Sequence, residues 1–563
     1  MNLNRSSFHL AVGLAAGAFG AFSCAPRGAL TDSRAATRSN NQTRITNAPP
    51  TGSNMNTPCS RPADPDGPGT SAWAFIDDTG MLAYGTLPPG DRLLDFSYAG
   101  YAGGGVAIPF VAPQQTVAPS GDDDTRAIQA AIDAVSQLSP GDDGFRGAVQ
   151  LSQGTFTLQG SLSIRASGVV LRGSGSGPDG SILMVAGNPR ALISIQGSGS
   201  WATAGGRASI IDDYVASGSN SFTVDDASGF AVGMAVLVDR PVTDAWVQFM
   251  GMDHLVRSGQ PQTWIRAGTL IHSDRVITAI NGNQITVDAP ISDSFDSQYI
   301  RPSYATIVPY TFNGRLAQVG LESMSFVAPP VPTPISQPTF SLLQMKAVAN
   351  GWVRDVVAQD FINGLTIDGT SKWITIQDMA FTHTVPADTS AGSPADYGID
   401  GQQILIHRSS SQGDHWFSVV TQATEPGPNV VLNFSGSGTS TNLAPHQRWA
   451  TGLLLDNVYS PTGGISLQDR GNAGSGHGWS VGFAAVWNSV ANTLLIQQPP
   501  GSTNWSIGSS GRLTTAAEPG SSDHTPLPMG TIDSQGTRVT PGSLYLEQLC
   551  ERLGPQALAN IGY

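Results

Sequence analysis

Between Asp396 and Gly508 the chain gathers Asp400, Asp414, His415, His446, Arg448, Asp469, Arg470 and His477 among Gly, Trp and Asn. Five of its nine histidines fall between His383 and His477, in a sequence only 12% charged. Imidazoles titrate near neutrality and guanidinium groups grip carboxylates in a planar fork, so the mixture suits acid–base work on an acidic substrate. Two reactions fit. Elimination beside a carboxylate needs a base for the proton, a cation for the carboxylate and an acid for the leaving oxygen. His446, Arg448, Arg470 and His477 can fill these places, with His446 a more ordinary base than an arginine. Hydrolysis of a glycosidic bond needs one protonated and one ionised carboxyl group, and Asp400 with Asp414 is the pair on offer.

His415, Trp416, Trp449 and Trp479 are the candidates for binding sugar rings. Each assignment has a plainer alternative: arginine bridges to Asp469 or Asp456, histidines that only complete hydrogen bonds, and tryptophans stacked in a core.

The elements that must carry these side chains are strands. The chain has 563 residues, with 66 glycines and 38 prolines, a composition that favours many turns over long helices. Its net charge of -14 argues against a nucleic-acid partner, which needs a basic face. Short apolar runs recur at 319–327, 351–361, 371–381, 401–411, 449–459 and 484–498, which predicts stacked coils of roughly 20 to 25 residues with loops inserted in some. The longest loops are expected to flank the His and Arg cluster. Antiparallel strands are expected in an excursion at about 205–303, one hairpin turning at Asn281-Gly282. Trp246 and Trp264 within it read as core residues before sugar platforms. A helix is predicted after Asp122 to Asp124, burying Ile128, Ile132 and Val135, and another at about 543–553 with Leu546, Leu549, Cys550 and Leu553 on one face. The Asp122 to Asp124 run could hold calcium, but a helix N-terminus explains it more simply; no metal ligand set is assigned and any cofactor stays open.

Residues 1–24, with Arg5 and an apolar run from Leu10 to Phe22, read as a bacterial export signal, and 25–70 as a flexible tether. AFSC resembles a lipoprotein cleavage box with Cys24 as the lipidated residue; simple secretion is the alternative. Membrane contact is expected only through such a lipid. Cys59 and Cys550 remain after the signal and could pair in an oxidising compartment.

DDDTRAIQAAIDA, then GAVQLSQGTFTL, then VVLRGSG resembles the start of the pectate-lyase-like superfamily of right-handed parallel β-helices. That resemblance implies an all-β parallel β-helix with an N-terminal capping helix. YGIDG, QGDHW and GHGWSVG resemble, in order, strings of the polygalacturonase family, which would make Asp400 and Asp414 catalytic acids and His477 their supporting histidine. The chain departs from that pattern at His415, where the family has Asp, and in lacking an Arg-x-Lys string after His477. The expectation is a secreted or surface-anchored monomer that cleaves an extracellular uronic-acid polysaccharide by β-elimination. A β-helix glycoside hydrolase and a non-catalytic carbohydrate-binding β-helix are the alternatives.

Overall fold

The structure is a computed structural model that describes Cys59 and residues 69–439, 441–518 and 524–563. The expected signal, tether and Cys24 lipid site lie outside the described residues, save for Cys59 and the last two positions of the tether range.

Alternating apolar residues make strands, and here the strands wind into a right-handed parallel β-helix with three ladders. The first ladder is seen in the register Val149, Leu171, Leu321, Val353, Ile376, Ile406, Val431, Leu455 and Val486, each residue lying over the last. All nine are buried in one core. Each such side chain contributes roughly 1.5–3 kcal/mol by leaving water. The strands Leu316–Val327, Val348–Gln359 and Lys372–Thr382 bend through a corner and so serve the first and second ladders in turn. At that corner one residue per coil takes a left-handed conformation: Ser323, Asp355, Asp378, Arg408, Asn433, Asn457 and Asn488, with φ from 46° to 59°. Asp and Asn tolerate this region better than most residues, which accounts for their recurrence there.

The helix Thr125–Ser136 caps the first coil, burying Ile128, Ala131, Ile132 and Val135. Asp124 stands at its N-cap position, but its carboxylate accepts hydrogen bonds from Ser120 N (2.8 Å) and Thr157 N (3.0 Å), stitching the helix start to the strand Gly154–Leu158. Among the described residues no group of three or more His, Cys, Asp or Glu side chains is arranged to hold a metal ion.

The outer face of the first ladder is also apolar at Leu405, Val430, Leu454 and Trp505. Leu94 and Phe96 from the N-terminal segment and Tyr545 and Leu549 from the helix Leu544–Leu553 cover it, forming a second core. The segment around Leu94 and Phe96 and the C-terminal helix therefore lie on one face, and Cys59 and Cys550 are disulfide-bonded with Cα atoms 6.0 Å apart.

After the strand Ala191–Gln196 the chain leaves the coils, builds an antiparallel sheet, and returns at Leu316–Val327. This insertion has its own core around Phe222, Val238, Ile285 and Ile307. It is bolted to the coils through Asp274, whose carboxylate meets Lys372 Nζ at 2.6 Å, Tyr310 OH at 2.7 Å, Arg315 Nη1 at 2.9 Å and Trp201 Nε1 at 3.2 Å. Burial by itself would raise this carboxyl, yet Lys372 and Arg315 hold it below the usual carboxylate range.

One expectation about the coils needs correction. The span 411–449 is no long loop: Pro426–Leu432, Ser435–Ser437 and Asn442–Leu443 form a complete further coil. Its Gly, Pro and Ser content hides the strand pattern, although Val430, Val431 and Leu432 are wholly buried.

Candidate functional site

Each coil closes with a turn from the third ladder back to the first, and these turns stack along the molecule. On successive coils they carry Gly369-Thr370, Asp400 to Gln402, Gln422 to Pro426, His446 to Arg448, and Gly474 to His477. At one strand spacing per coil, five such turns span roughly 19 Å. Backbone bonds between coils fix the stack: Asp400 N to Ile367 O (2.8 Å), Gln422 N to Ile399 O (3.1 Å), His446 N to Thr421 O (3.0 Å) and Arg448 N to His477 O (2.9 Å). The insertion folds over the same turns and supplies the facing wall with Trp201, Arg257, Leu270 and His272. Gln402 ties the two walls together, donating to His272 O (2.8 Å) and accepting from Asp274 N (3.0 Å). Between them lies a cleft of about 1090 Å³.

His446 and His477 meet in this cleft. Their rings are edge to face with centroids 4.6 Å apart. His446 Nδ1 lies 3.0 Å from Gln422 Oε1, whereas His446 Nε2 and His477 Nδ1 are buried without a partner. Burial, and then the charges of Arg470 and Arg448, push the His446 imidazole down to about 3. Burial, His446 and the nearby arginines push His477 down to about 2. Both rings are therefore neutral at pH 7, each with a free nitrogen.

Asp400 faces the same cleft from two coils away, roughly 10 Å along the axis. Burial and the neighbouring Asp368 raise it to about 8, and its Oδ1 has no partner among the described residues. It is thus a carboxylic acid, rather than a carboxylate, at neutral pH. On the intervening turn Glu425 is wholly buried and raised well above its ordinary value by burial and by Asp400.

Arg448 and Arg470 form no ion pair with Asp469 or Asp456. Arg448 Nε donates to Trp264 O (2.6 Å) and Nη2 to Ser475 O (2.9 Å) and Oγ (2.7 Å), while Nη1 donates to Gln447 Oε1. It therefore ties the insertion and the Gly474–His477 turn to its own coil. Arg470 Nη1 donates to His446 O (2.9 Å), and its side chain is not among those lining the cleft. Burial lowers it to about 10. Both arginines thus shape the turn beneath the imidazoles and supply its positive field.

The remaining candidates lie elsewhere. Asp414, His415 and Trp416 sit on the turn between the second and third ladders, two strands beyond Asp400, so the expected Asp400–Asp414 pair does not share a site. Fourteen residues cover only part of one coil, and neighbours in sequence then occupy different sides of it. Asp414 Oδ1 accepts from Thr439 N at 2.5 Å, and His415 N donates to Thr439 O at 2.8 Å. Trp416 is buried and stacked on His383 at 3.7 Å. Trp449 and Trp479 are 2% and 3% exposed, which removes them as sugar platforms. They pack with Trp246 and Trp264, the latter two stacked at 5.0 Å, where the insertion meets the coils.

Sequence reasoning missed Trp201, His272, Arg257, Gln422 and Glu425. Trp201 is half-buried, its ring 5.6 Å from His272 and its Nε1 held by Asp274. No local motif marks it, because only the fold-back of the insertion brings it to the cleft.

No family model and no curated protein matches this chain. Among solved structures, it is similar to the tailspike gp49 from Pseudomonas phage LKA1, at 14% identity over 74% of this chain and 72% of that one, with a TM-score of 0.35. The tailspike of Escherichia coli bacteriophage HK620, in complex with a pentasaccharide, is matched at 10% identity over 75% of this chain and 58% of that one, TM-score 0.36. The gp54 tailspike of Acinetobacter baumannii bacteriophage AP22, in complex with a capsular saccharide, is matched at 9% identity over 74% and 73%, TM-score 0.23. Likeness at this level carries no argument about the site, and the fold assignment rests on the strand register of the chain itself.

Proposed function

We propose that this protein is an extracellular polysaccharide lyase that cleaves a uronic-acid polymer by β-elimination in the cleft between the insertion and the coil turns. The observation that carries this reading is the meeting, in one cleft, of two imidazoles and one carboxyl group that each keep a buried polar atom without a partner, where burial favours the neutral form of all three. His446, assisted by His477, takes the proton beside the sugar carboxylate, and Asp400 gives a proton to the leaving oxygen directly or through one water. Arg257 and Arg448, which line the cleft, offset the charge of the sugar carboxylate and of the enolate-like state that follows proton removal, and Arg470 adds its field from beneath the turn. By themselves the imidazoles are weak bases, because burial and the arginines disfavour their charged forms. An anionic sugar would reverse part of that field and raise their basicity on binding. Trp201 offers the half-exposed aromatic face for a sugar ring. The Cys59–Cys550 bond suits an oxidising compartment, which supports secretion or surface attachment.

Hydrolysis is the weaker reading. It needs an ionised carboxylate opposite the acid, but Glu425 on the next turn is buried and driven toward its neutral form, and Asp368, the carboxyl that raises Asp400, is engaged by the backbone nitrogens of Ala347 and Thr370. The deciding experiment is incubation with a panel of acidic polysaccharides while following the ultraviolet absorbance of unsaturated uronate products. A rise in absorbance matching new chain ends is expected. New reducing ends without absorbance would replace the lyase reading with hydrolysis, and neither signal on any polymer would favour a binding role.

A further inference from the structure

A second cavity, of about 720 Å³, lies on the same line of turns two to three coils closer to the capping helix. Its walls come from the turns after the first two coils, with Arg146, Arg165 and Arg315 and no Asp or Glu among the lining residues. In a chain of net charge -14 such a cavity runs against the general trend. Its arginines differ in how they are held. Arg315 is half of the buried Asp274 anchor. Arg146 donates Nε to Ser167 O (3.0 Å) and Nη1 to Leu138 O, so its charge is fixed in place without a carboxylate to cancel it. Arg165 is exposed and, among the described residues, has neither hydrogen bond nor ion pair.

The floor is the neck of the insertion, where the outgoing and returning strands come together. Ser198 N bonds Gly314 O at 2.8 Å, and a Cβ at Gly197 would stand 2.5 Å from both Ala347 O and Gly314 O. Glycine is required there for the two backbones to pass, and the floor is correspondingly bare. Thr370 links the two cavities: its carbonyl accepts both Arg315 Nε (3.0 Å) and Nη2 (2.6 Å), and the residue itself lines the main cleft.

We infer that this cavity is a second binding site for the acidic groups of the same polysaccharide, holding polymer that extends beyond the cleft. It takes carboxylate or sulfate substituents, which match a fixed guanidinium at Arg146 and a free one at Arg165. The inference rests on the reading of the substrate as an acidic polymer, and it assigns the site a role in retaining long chains rather than in bond breaking. Short oligomers that fill only the cleft bypass it.

The test compares Arg165→Glu and Arg165→Lys with the unaltered protein on polygalacturonate, alginate and hyaluronate, each as polymer and as short oligomers. For whichever polymer is cleaved, Arg165→Glu should raise KM on the long chain roughly tenfold, leave kcat and the short-oligomer kinetics unchanged, and be largely rescued in Arg165→Lys. An unchanged KM on polymer overturns the inference, as does an equal change on short and long chains. If none is cleaved, affinity electrophoresis through gels containing each polymer reads the site separately, with dextran as the neutral control. Retardation of the unaltered protein that Arg165→Glu removes supports the second site. Retardation that survives Arg165→Glu, or none in any of the three gels, overturns it.

Discussion

The imidazoles of His446 and His477 meet edge to face at 4.6 Å although 31 positions separate them in the chain, because the turns that carry them stand on adjacent coils. Each ring has one buried nitrogen without a partner. His446→Ala and His477→Ala should therefore each lower turnover of an acidic polymer by roughly 10²- to 10⁴-fold. Circular dichroism should show the strand content intact. Activity retained in both variants would remove these residues from the chemistry.

Arg448 spans three elements through Trp264 O, Ser475 and Gln447, so its shape matters as much as its charge. Arg448→Lys keeps the charge and loses the fork, and should recover little of the activity lost in Arg448→Ala. Hydrogen exchange on residues 474–477 should quicken in both variants. A lysine variant with full activity and unchanged exchange would show that charge alone suffices.

The pH profile follows from Asp400. As an acid raised to about 8 it must be protonated to act, while His446 and His477, depressed to about 3 and about 2, stay neutral across the working range. The rate on free enzyme should be level through neutrality and fall as pH rises through about 8. Asp400→Asn should leave a slow rate without that descending limb. The same shift affects folding with a definite sign: the folded state holds the proton more tightly than the unfolded chain, so the contribution of Asp400 to stability declines from the ordinary carboxyl range up to about 8. Urea melts of the native and Asp400→Asn proteins between pH 5 and 9 should diverge in that direction.

The histidines act in the opposite sense. The folded-state pKa values of His407, His446 and His477, about 3, 3 and 2, lie below the ordinary value of 6.5. Their contribution is fully present above pH 6.5 and is lost as pH falls toward 3. Replacing His446 or His477 with Gln should flatten the acid side of the stability curve, as read by thermal melts from pH 7 to 4.

Asp274 holds the insertion to the coils with two buried cations. Asp274→Asn leaves Lys372 and Arg315 without their counter-charge and should cost about 3–5 kcal/mol. Because Trp201 hangs from the same carboxylate, substrate binding should weaken as well. Trp201→Ala by itself should raise KM roughly threefold to tenfold without altering the melting temperature appreciably, and an unchanged KM would remove its face as a sugar platform.

How much of this could be read from residue order differs between fold and site. The capping helix is legible because Ile128, Ile132 and Val135 repeat at helical spacing, and the coils because apolar residues alternate and turns recur; both are local periodicities. The coil at Pro426–Leu432 escaped because glycine and proline blur that alternation. Of the concentrated residues His446, Arg448, Arg470 and His477, three line one cleft and Arg470 does not, and residue types do not reveal which side of a coil a residue occupies. Asp400 and Asp414, close in sequence, were separated by two strands, whereas His446 and His477 were joined by adjacent coils. The tryptophans went into a core only because the insertion folds back upon them, and the same fold-back brought Trp201, His272 and Arg257 to the cleft. Protonation states were decided at this level too, since burial and neighbouring charges exist only once the coils are stacked. Local pattern sets which strands form, while register between coils and the docking of a remote insertion set which side chains meet.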